Sequence, residues 1–358
     1  MLEVQTTTNL FGLSSDELER LAMEYGEPRY RGQQIFHALY ARRQQDLENL
    51  TNLSKSFRQQ LASRFAVIYP RIRERLQSRD GSSRYLLELT DGQTVEAVHM
   101  PDQGRITLCI SSQAGCAVDC RFCFTALMGL QRNLSAGEIL GQVYAIAQDQ
   151  RMDFPMRLNI VLMGMGEPLL NFAPVMKAIR VLTDPDGMRI PWRRITLSTS
   201  GIIPRIHDLA REPVRPKLAI SLNASTDEQR TVLMPINRKY PLAELIAACR
   251  AYPLRPRELL TFEYVMLDGV NDSEIDALRV AKLLRGLRAK VNLIPYNSGS
   301  GLLFRTPPFQ RVLEFQKILA RQHIPAFIRI SRGQDIGAAC GQLRVERAAI
   351  SAAHNPSG

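Results

Sequence analysis

The sequence lacks any apolar run that approaches the roughly 20 residues of a transmembrane helix, so we expect no membrane span. Its first 21 residues contain no basic segment followed by an apolar one, so a secretory signal peptide is not expected. The six cysteines are too few and too unevenly placed for a small disulfide-rich secreted scaffold. Together these absences favour a reduced, soluble protein of the cytoplasm.

Lysine is also scarce, with seven among the 46 basic residues, so arginine carries most of the net charge of +11. The planar guanidinium suits bidentate contacts with phosphate and stacking on bases. Arginines cluster in the segments "RYRGQQIFHALYARR", "RIRERLQSR" and "PWRR". This charge is compatible with an RNA partner, although a solvated basic surface has the same composition.

The pattern of apolar residues divides the chain into four parts. Residues 1–68 have helical spacing, residues 69–111 contain a hairpin signal at "TDGQ", and strand-like and helix-like stretches alternate through residues 112–345. The tail 346–358 is predicted to be disordered. Alternation of this kind is typical of an α/β fold with a mostly parallel sheet. The predicted core strands are residues 105–112, 158–164, 193–200, 217–223, 259–267, 289–297 and 326–331. These are too few for a closed eight-stranded barrel, so we expect a partial, open one.

Three of the six cysteines fall within eight residues, "CAVDCRFC", at Cys116, Cys120 and Cys123. Three thiolates can hold three irons of a [4Fe–4S] cluster and leave the fourth iron open to a small molecule. The alternative is a structural zinc ion with a distant fourth ligand such as Cys249, Cys340 or a histidine. The loop alone leaves both alternatives open.

The surrounding motifs resemble those of the radical S-adenosylmethionine (SAM) superfamily. The Cx3Cx2C loop follows the first strand of a β/α region, and "MGMGEPLLN" after the next strand resembles the superfamily's glycine-rich motif. The segments "ITLSTSG", "LAISLNA", "MLDGVNDS", "NLIPYN" and "AACGQL" then follow in the order found in the RlmN/Cfr family of radical SAM RNA methyltransferases. The set is most similar to the dual-specificity adenine-C2 members. The resemblance covers about residues 14–345.

This resemblance implies two cofactors, one [4Fe–4S] cluster held by the three loop cysteines and SAM. It also implies a set of SAM contacts, carried over position by position: Gly166, Glu167, Ser198, Ser221, Leu222, Asn223 and Asn297. Gly166 and Glu167 would receive the SAM ammonium group. Asn223 departs from the family pattern, in which histidine is expected, but the family uses backbone groups at that position.

The resemblance further implies a radical route to C2 of adenine, a carbon that polar methyl transfer does not reach. One SAM would methylate Cys340, and a second would be cleaved to a radical that takes hydrogen from this methyl group. The resulting carbon radical would add to C2, and Cys109 would release the RNA by forming a disulfide with Cys340. Glu96 matches the position of the proton acceptor. Whether Glu96 or Cys109 takes the proton is left open.

The implied substrates are an adenine of 23S rRNA in the peptidyl-transferase centre and the adenine next to the tRNA anticodon. The N-terminal helices would bind RNA, an electron donor such as flavodoxin would reduce the cluster, and the protein would act as a monomer.

Two rival interpretations remain. A close relative that methylates C8 would share nearly every motif, and a zinc-stabilised RNA-binding protein without catalysis would explain the cysteines and the charge.

Overall fold

The computed structural model describes residues 8–152, 157–298, 303–338 and 341–343. Cys340 and the predicted disordered tail therefore lie outside the described residues. Among the helices that are described, none has both the length and the hydropathy needed to cross a bilayer.

The N-terminal part is helical, as the apolar spacing predicts. Its elements are β1 (Thr8–Asn9), α1 (Ser15–Glu24), α2 (Tyr30–Tyr40), α3 (Lys55–Arg64) and β2 (Phe65–Ala66). Helix α1 begins where the Ser14 hydroxyl accepts the Glu17 N–H, and the Glu17 carboxylate in turn accepts the Ser14 N–H. This reciprocal capping satisfies two amide groups that the first turn leaves without intrahelical partners.

The N-terminal helices pack against the core through an aromatic contact. The Phe11 ring lies 5.1 Å from Tyr40 and 4.8 Å from Tyr144 of the core. The Tyr144 hydroxyl donates to the Tyr40 carbonyl at 2.6 Å. A Cβ at Gly12 would lie 2.4 Å from the backbone nitrogen of Gly137, so the two glycines let the backbones touch. The N-terminal part is therefore fixed to the core by buried contacts.

Four antiparallel strands follow: β3 (Arg71–Gln77), β4 (Ser83–Glu88), β5 (Thr94–Asp102) and β6 (Arg105–Cys109). The predicted hairpin at "TDGQ" is confirmed as the turn between β4 and β5, with Gly92 in the left-handed region at φ 81°. The segment "RIRERLQ", interpreted from sequence as a basic cluster, is the edge strand β3. Its charged side chains protect an unpaired sheet edge from further pairing.

A hairpin carries the cysteine loop. Strands β7 (Gln113–Gly115) and β8 (Leu130–Asn133) are paired, and the short helix α4 (Phe124–Leu127) lies between them.

Within the described ranges, seven strands form the parallel part of the sheet, as the sequence predicts: β6 and the six that follow the cysteine loop. Those six are β9 (Leu158–Leu162), β10 (Ile195–Thr199), β11 (Lys217–Ser221), β12 (Leu260–Met266), β13 (Ala289–Pro295) and β14 (Ala326–Ile328). The associated helices are α5 (Ala136–Asp149), α6 (Phe172–Thr183), α7 (Ile203–Arg211), α8 (Asp227–Leu233), α9 (Leu242–Ala251), α10 (Glu274–Leu284) and α11 (Phe309–Arg321). The ten-stranded order is β14-β13-β12-β11-β10-β9-β6-β5-β4-β3, with β14 and β3 at the two edges. This is the predicted α/β architecture with an open, partial barrel.

The two faces of this sheet differ in burial. On β9, Leu158, Ile160 and Leu162 are at most 2 % exposed, whereas Asn159 and Val161 between them are half-buried. The first set belongs to the buried apolar core, and the register places the second set on the side of the sheet that carries Cys109 and Ser198. We call this second side the inner face. It is the side on which a ligand can be bound.

Helices α7 and α8 are absent from the sequence prediction. Both are short, of nine and seven residues, and α8 has five polar residues among its seven. Helix α8 depends on its Thr226 cap, whose hydroxyl accepts the Gln229 N–H at 3.2 Å. Elements this short show too few turns for the apolar period to be recognised.

Candidate functional site

The cysteine loop is the tip of the β7–β8 hairpin. Gly115 has φ 78°, and a Cβ there would lie 1.8 Å from the Gly129 carbonyl oxygen. The same carbonyl accepts the Cys116 N–H at 3.1 Å. Because the hairpin closes without a side chain at Gly115, Cys116 begins the loop at a fixed point beside the sheet.

All three loop thiols border one cavity of about 160 Å³. Burial raises the pKa of the Cys116 thiol to about 12 and also raises the pKa values of Cys120 and Cys123. Within the described ranges, no three His, Cys, Asp or Glu side chains converge on a point where they could hold a single metal ion. A cluster that takes one thiol on each of three irons does not require such convergence, whereas tetrahedral zinc does.

The glycine-rich motif lies directly beside the hairpin. Gly166 has φ 102°, and a Cβ at this position would lie 2.6 Å from Cβ of Gln113. Gln113 is fully buried and accepts the Glu167 N–H through its amide oxygen at 2.8 Å. Gly166 therefore lets the motif approach the base of the cysteine hairpin, and Gln113 fixes the register between them.

The Glu167 carboxylate is 4 % exposed and accepts two backbone N–H groups. Ser200 donates to Oε2 at 2.7 Å, and Leu169 donates to Oε1 at 3.1 Å. Burial raises the pKa of Glu167, and the hydrogen bond from Ser200 opposes that rise. A carboxylate has further lone pairs beyond these two bonds, so Glu167 retains capacity for a cation in the cavity.

Most of the SAM contacts proposed from sequence lie together. The cavity lining includes eight residues predicted as cluster or SAM ligands, namely Cys116, Cys120, Cys123, Gly166, Glu167, Ser198, Ser221 and Asn223. The hydroxyls of Ser198 and Ser221 are 3.5 Å apart on the inner face, at the carboxyl ends of neighbouring strands. Carboxyl ends of parallel strands are where open α/β sheets bind ligands.

Two of the predicted contacts lie beside this lining. The Leu222 side chain is fully buried, and its carbonyl accepts Nε of Arg230 at 3.2 Å. Asn297 donates its amide to the Ser331 hydroxyl at 2.6 Å. The described side chain of Asn297 is therefore engaged with the segment after β14.

The structure explains why asparagine is suited to position 223. Its backbone is left-handed, with φ 55°, a conformation that asparagine tolerates better than most residues. Its side-chain oxygen accepts the Val265 N–H at 2.8 Å, and its carbonyl accepts the Asn271 amide at 2.8 Å. The residue that replaces the expected histidine thus joins the ends of β11 and β12.

The proposed base and resolving thiol also lie on the inner face. Cys109 pairs with Val98 across β5 and β6, and Glu96 lies two residues from Val98 on the same side. Cys109 is 7 % exposed and Glu96 is 2 % exposed. The register therefore brings Glu96 and Cys109 to adjacent positions on one side of the sheet.

Arg84 connects this pair with the end of the chain. Its guanidinium lies 3.7 Å from Oε1 of Glu96 and donates to the Gly337 carbonyl at 3.4 Å. Cys340 is outside the described residues, but the next residue, Gly341, borders the same cavity as the three loop thiols. No disulfide joins any two of the cysteines that the structure describes.

Comparison with known proteins was decisive for the family. The radical SAM superfamily matches residues 110–280, and the ribosomal RNA large subunit methyltransferase N-terminal domain matches residues 8–67. A probable dual-specificity RNA methyltransferase RlmN from Koribacter versatilis is 52% identical, with 91% of this chain and 98% of the relative aligned. The RlmN of Syntrophobacter fumaroxidans is 48% identical over 92% of this chain and 96% of its own.

The chain belongs to the RlmN family of radical SAM RNA methyltransferases. A crystal structure of a radical SAM methyltransferase from Sphaerobacter thermophilus has the same fold, with a TM-score of 0.88 and 47% identity. It covers 94% of this chain, and this chain covers 99% of it.

Besides Gln113, sequence reasoning missed one buried cation of this RlmN-family site. Arg230, on α8, is fully buried and donates to four uncharged oxygen atoms. Its acceptors are the carbonyls of Ser200, Ser221 and Leu222 and the amide oxygen of Asn237, at 2.6 to 3.2 Å. Burial lowers the pKa of Arg230 to about 10. Composition gives no sign of this role, because an arginine in a short polar helix is usually exposed.

Glu263 was noted in the sequence without a role. It lies on β12 beside Ser221 and borders the cavity. The Asn292 amide donates to its Oε1 at 2.9 Å, and burial raises the pKa of its carboxyl group. Glu263 adds a polar group to the cavity wall that also contains Ser198 and Ser221.

Proposed function

We propose that this RNA methyltransferase methylates C2 of adenine in 23S rRNA and in tRNA, with Cys340 as the carrier of the methyl carbon. The observation that supports it best is the shared cavity. Three loop thiols, the Gly166–Glu167 pair and the hydroxyls of two strand ends surround it, and the residue next to Cys340 borders it as well.

The residues of the cavity fit the two cofactors. Cys116, Cys120 and Cys123 would each hold one iron of a [4Fe–4S] cluster, and the buried thiols would lose their protons on binding. Glu167 would accept the SAM ammonium group, and Ser198 and Ser221 would bond its polar groups. When bound, the cluster and SAM supply the methyl group and the radical chemistry that a non-nucleophilic carbon requires.

The remaining steps belong to side chains of this chain. Cys340 Sγ would accept the methyl group and later hold the RNA through that carbon. Glu96 or Cys109 would take the proton from C2. The Cys109 thiolate would then attack the Cys340 sulfur to form a disulfide, and the electron pair of the broken sulfur–carbon bond would stay on the methylene carbon, which takes a proton and leaves as the methyl group of the base. The pairing of β5 with β6 places Glu96 and Cys109 on the same side of the sheet, which supports these roles for the two residues.

The RNA partner is supported by the family and by charge. The relatives carry the printed description "dual-specificity RNA methyltransferase", and the chain has a net charge of +11. The N-terminal part, which matches a domain of ribosomal RNA methyltransferases, would contribute to RNA binding. We further propose that the enzyme acts as a monomer in the cytoplasm and receives electrons from a donor such as flavodoxin.

Three variants of the two thiols test the chemistry. Cys109→Ala keeps the carrier but lacks the resolving thiol, so it should purify with RNA bound through a thioether that thiol reagents do not release. Cys340→Ala and the double variant should purify without bound RNA. A denaturing gel with and without nuclease shows the difference. Bound RNA in Cys340→Ala, or none in Cys109→Ala with normal SAM cleavage, would remove the proposed roles.

Mass spectrometry of nucleosides tests the product. After reaction with 23S rRNA or tRNA, digestion should release 2-methyladenosine, identified against authentic standards. The appearance of 8-methyladenosine instead would assign the enzyme to the C8 reaction. Stoichiometric zinc without iron in anaerobically purified protein would favour a non-catalytic RNA-binding protein.

A further inference from the structure

The two edges of the open sheet are connected by a loop. Strands β14 and β3 lie at opposite ends of the ten-stranded order. Residues 331–338, which follow β14, nevertheless contact the turn between β3 and β4 and the end of β5. We call residues 331–338 the closing segment. It joins the sheet edges that strand pairing leaves apart.

Two reciprocal carboxylate contacts hold the closing segment to the β3–β4 turn. The Gly333 N–H donates to Asp80 Oδ2 at 2.9 Å. In the opposite direction, the Ser78 hydroxyl and the Arg79 N–H donate to the Asp335 carboxylate at 2.6 and 3.2 Å. The turn and the closing segment thus each supply one carboxylate, and each donates hydrogen bonds to the carboxylate of the other. These contacts fix the position of the segment relative to the turn.

An arginine holds the start of the segment to β5. Arg332 donates to the Pro101 carbonyl at 2.5 Å and to Asp102 Oδ1 at 2.8 Å. A guanidinium that forks between a carbonyl and a carboxylate has little rotational freedom.

The backbone of the closing segment is shaped by two glycines. Gly333 and Gly337 both have φ 63° and flank a single turn of 3-10 helix, Gln334–Ile336. A Cβ at Gly333 would lie 2.7 Å from Cβ of Ala338, and one at Gly337 would lie 3.0 Å from Nη1 of Arg84. The turn is therefore compact, and it ends against the arginine that also contacts Glu96.

The chain beyond Cys340 is anchored on the other side, at the cysteine loop. The Gly341 carbonyl accepts the Phe124 N–H at 2.8 Å, and the Leu343 carbonyl accepts the Thr125 hydroxyl at 2.7 Å. Phe124 follows Cys123 directly. Position 340 is thus preceded by an anchor near Glu96 and followed by one at the cysteine loop.

We propose that Asp80, Asp335 and Arg332 are positioning residues, which hold the closing segment so that the Cys340 thiol reaches both the SAM cavity and Cys109. The chain spans at most about 3.6 Å per residue, so fixing both sides of Cys340 limits the travel of its thiol. Releasing one side increases the volume that the thiol samples and lowers its concentration at each partner. This inference rests on the carrier role of Cys340 in the proposed function.

The test uses Asp80→Asn/Asp335→Asn in the full chain, with Asp149→Asn as the matched control. Asp149 accepts the Tyr85 hydroxyl at 2.6 Å and pairs with Arg75 at 3.1 Å, so its loss also removes a polar network on β3 and β4. Cluster-loaded protein without SAM is oxidised anaerobically with diamide, which takes two electrons and two protons from a thiol pair. Mass spectrometry of peptides then follows formation of the Cys109–Cys340 disulfide.

We expect the disulfide to form about tenfold more slowly in the double variant and within about twofold of the parent in the control. In the cluster-loaded enzyme, the ratio of 5'-deoxyadenosine to methylated adenosine should rise in the double variant alone, because SAM cleavage does not require the closing segment. Asp80→Glu/Asp335→Glu, which retains both charges, should recover part of the rate.

The two proposals fail in different ways. Equal disulfide rates in the parent and the double variant would overturn the positioning role, as would an unchanged product ratio. If the parent forms the disulfide more rapidly than the double variant but produces no methylated adenosine, the carrier role of Cys340 is wrong and the structural effect of the closing segment stands.

Discussion

Arg230 donates to the Ser200 carbonyl at 2.6 Å, and the N–H of the same Ser200 donates to Glu167 at 2.7 Å. The buried guanidinium of Arg230 is thus connected, through the backbone of the single residue Ser200, to the Glu167 carboxylate of the glycine-rich motif. The carbonyls of Ser221, at the end of β11, and of Leu222, which follows it, accept from the same guanidinium. Arg230 therefore holds the ends of β10 and β11 in the arrangement that forms the wall of the cavity.

Replacement of Arg230 by Met should impair both stability and SAM binding. Four buried acceptors would each lose a donor at a cost of about 1–3 kcal/mol, so we expect the free energy of unfolding to fall by at least about 4 kcal/mol. SAM affinity should fall at least about tenfold, since a shift of 1.4 kcal/mol in binding suffices for that. Urea unfolding and equilibrium dialysis measure the two effects.

The control for this change is Arg211→Met, where the side chain is 80% exposed on α7. Surface substitutions of this kind usually change stability by about 0.5 kcal/mol or less. Arg230→Lys should be intermediate, because an ammonium group keeps the charge but cannot reach four acceptors at once. Equal SAM affinity in Arg230→Met and Arg211→Met would contradict the role of Arg230.

Loss of any one loop cysteine should remove the cluster and leave the fold. Cys116→Ala, Cys120→Ala or Cys123→Ala should abolish bound iron and SAM cleavage, with little change in melting temperature of the metal-free chain. Cys249→Ala is the matched control, because Cys249 is also a buried thiol, 1 % exposed, but lies within α9 away from the cavity. It should retain full iron and sulfide. An iron content as high in Cys120→Ala as in Cys249→Ala would rule out the ligand assignment.

Gly166→Ala should abolish SAM binding through steric crowding. A Cβ at Gly166 would lie 2.6 Å from the side chain of buried Gln113, so the motif would have to move away from the cysteine hairpin. Gly104→Ala is a suitable comparison, because Gly104 also has a positive φ, 78°, with nothing within 4 Å of the added Cβ. Both variants incur backbone strain of about 1–2 kcal/mol, but SAM affinity should fall in Gly166→Ala alone. Comparable affinities in the two variants would show that close approach at Gly166 is not required.

Much of the site could be predicted because its motifs are local. The three cysteines, the glycine-rich motif and the strand-end serines each occupy a few adjacent residues, and the β/α alternation places their ends on one side of the sheet. Arg230 and Gln113 could not be found in this way. Their function depends on contacts with segments distant in sequence, and neither an isolated arginine nor a glutamine next to a cysteine loop has a local signal.

The same reason explains the closing segment. The sequence of residues 331–338 has neither helical nor strand periodicity, and its contacts with the β3–β4 turn span more than 250 positions. The strand β3 was missed because its exposed charged side chains resemble a nucleic-acid-binding cluster. Edge strands and loops that bridge sheet edges are set by tertiary context, which a single sequence does not display.

RNA affinity should depend on arginines of the N-terminal part. Arg42 borders a surface groove with Tyr30 and His37 on α2, where a cation and an exposed ring could contact RNA. If Arg42 contacts a phosphate, Arg42→Gln should weaken binding and reduce the slope of log affinity against log salt by about 0.7–0.9. Filter binding over a salt series measures it. Arg321→Gln, on the exposed end of α11, should leave the slope unchanged. A slope that changes equally in both variants would indicate no particular role for the N-terminal part.

The stability of the contact between the closing segment and the β3–β4 turn should depend on pH through Asp80. Burial raises the pKa of this carboxyl group, but the hydrogen bonds from Gly333 and Ser82 outweigh burial and lower it from 3.8 to about 2. A lowered pKa in the folded state means that the stabilisation is fully present above about 4 and is lost as the pH falls toward about 2. At neutral pH, Asp80→Asn should therefore cost about 1 kcal/mol or less, since the carboxylate is largely exposed to solvent.

The measurement is the difference in urea midpoint between the parent and Asp80→Asn from pH 7 downward. We expect this difference to be constant from pH 7 to pH 5 and to shrink below about 4, as the parent carboxylate becomes protonated and resembles the amide in charge. A difference that is already lost at pH 6 would mean that a group other than Asp80 controls the contact. No difference at pH 7 would mean that the negative charge of Asp80 contributes nothing to the stability of this contact, since asparagine also offers an oxygen that accepts the Gly333 N–H.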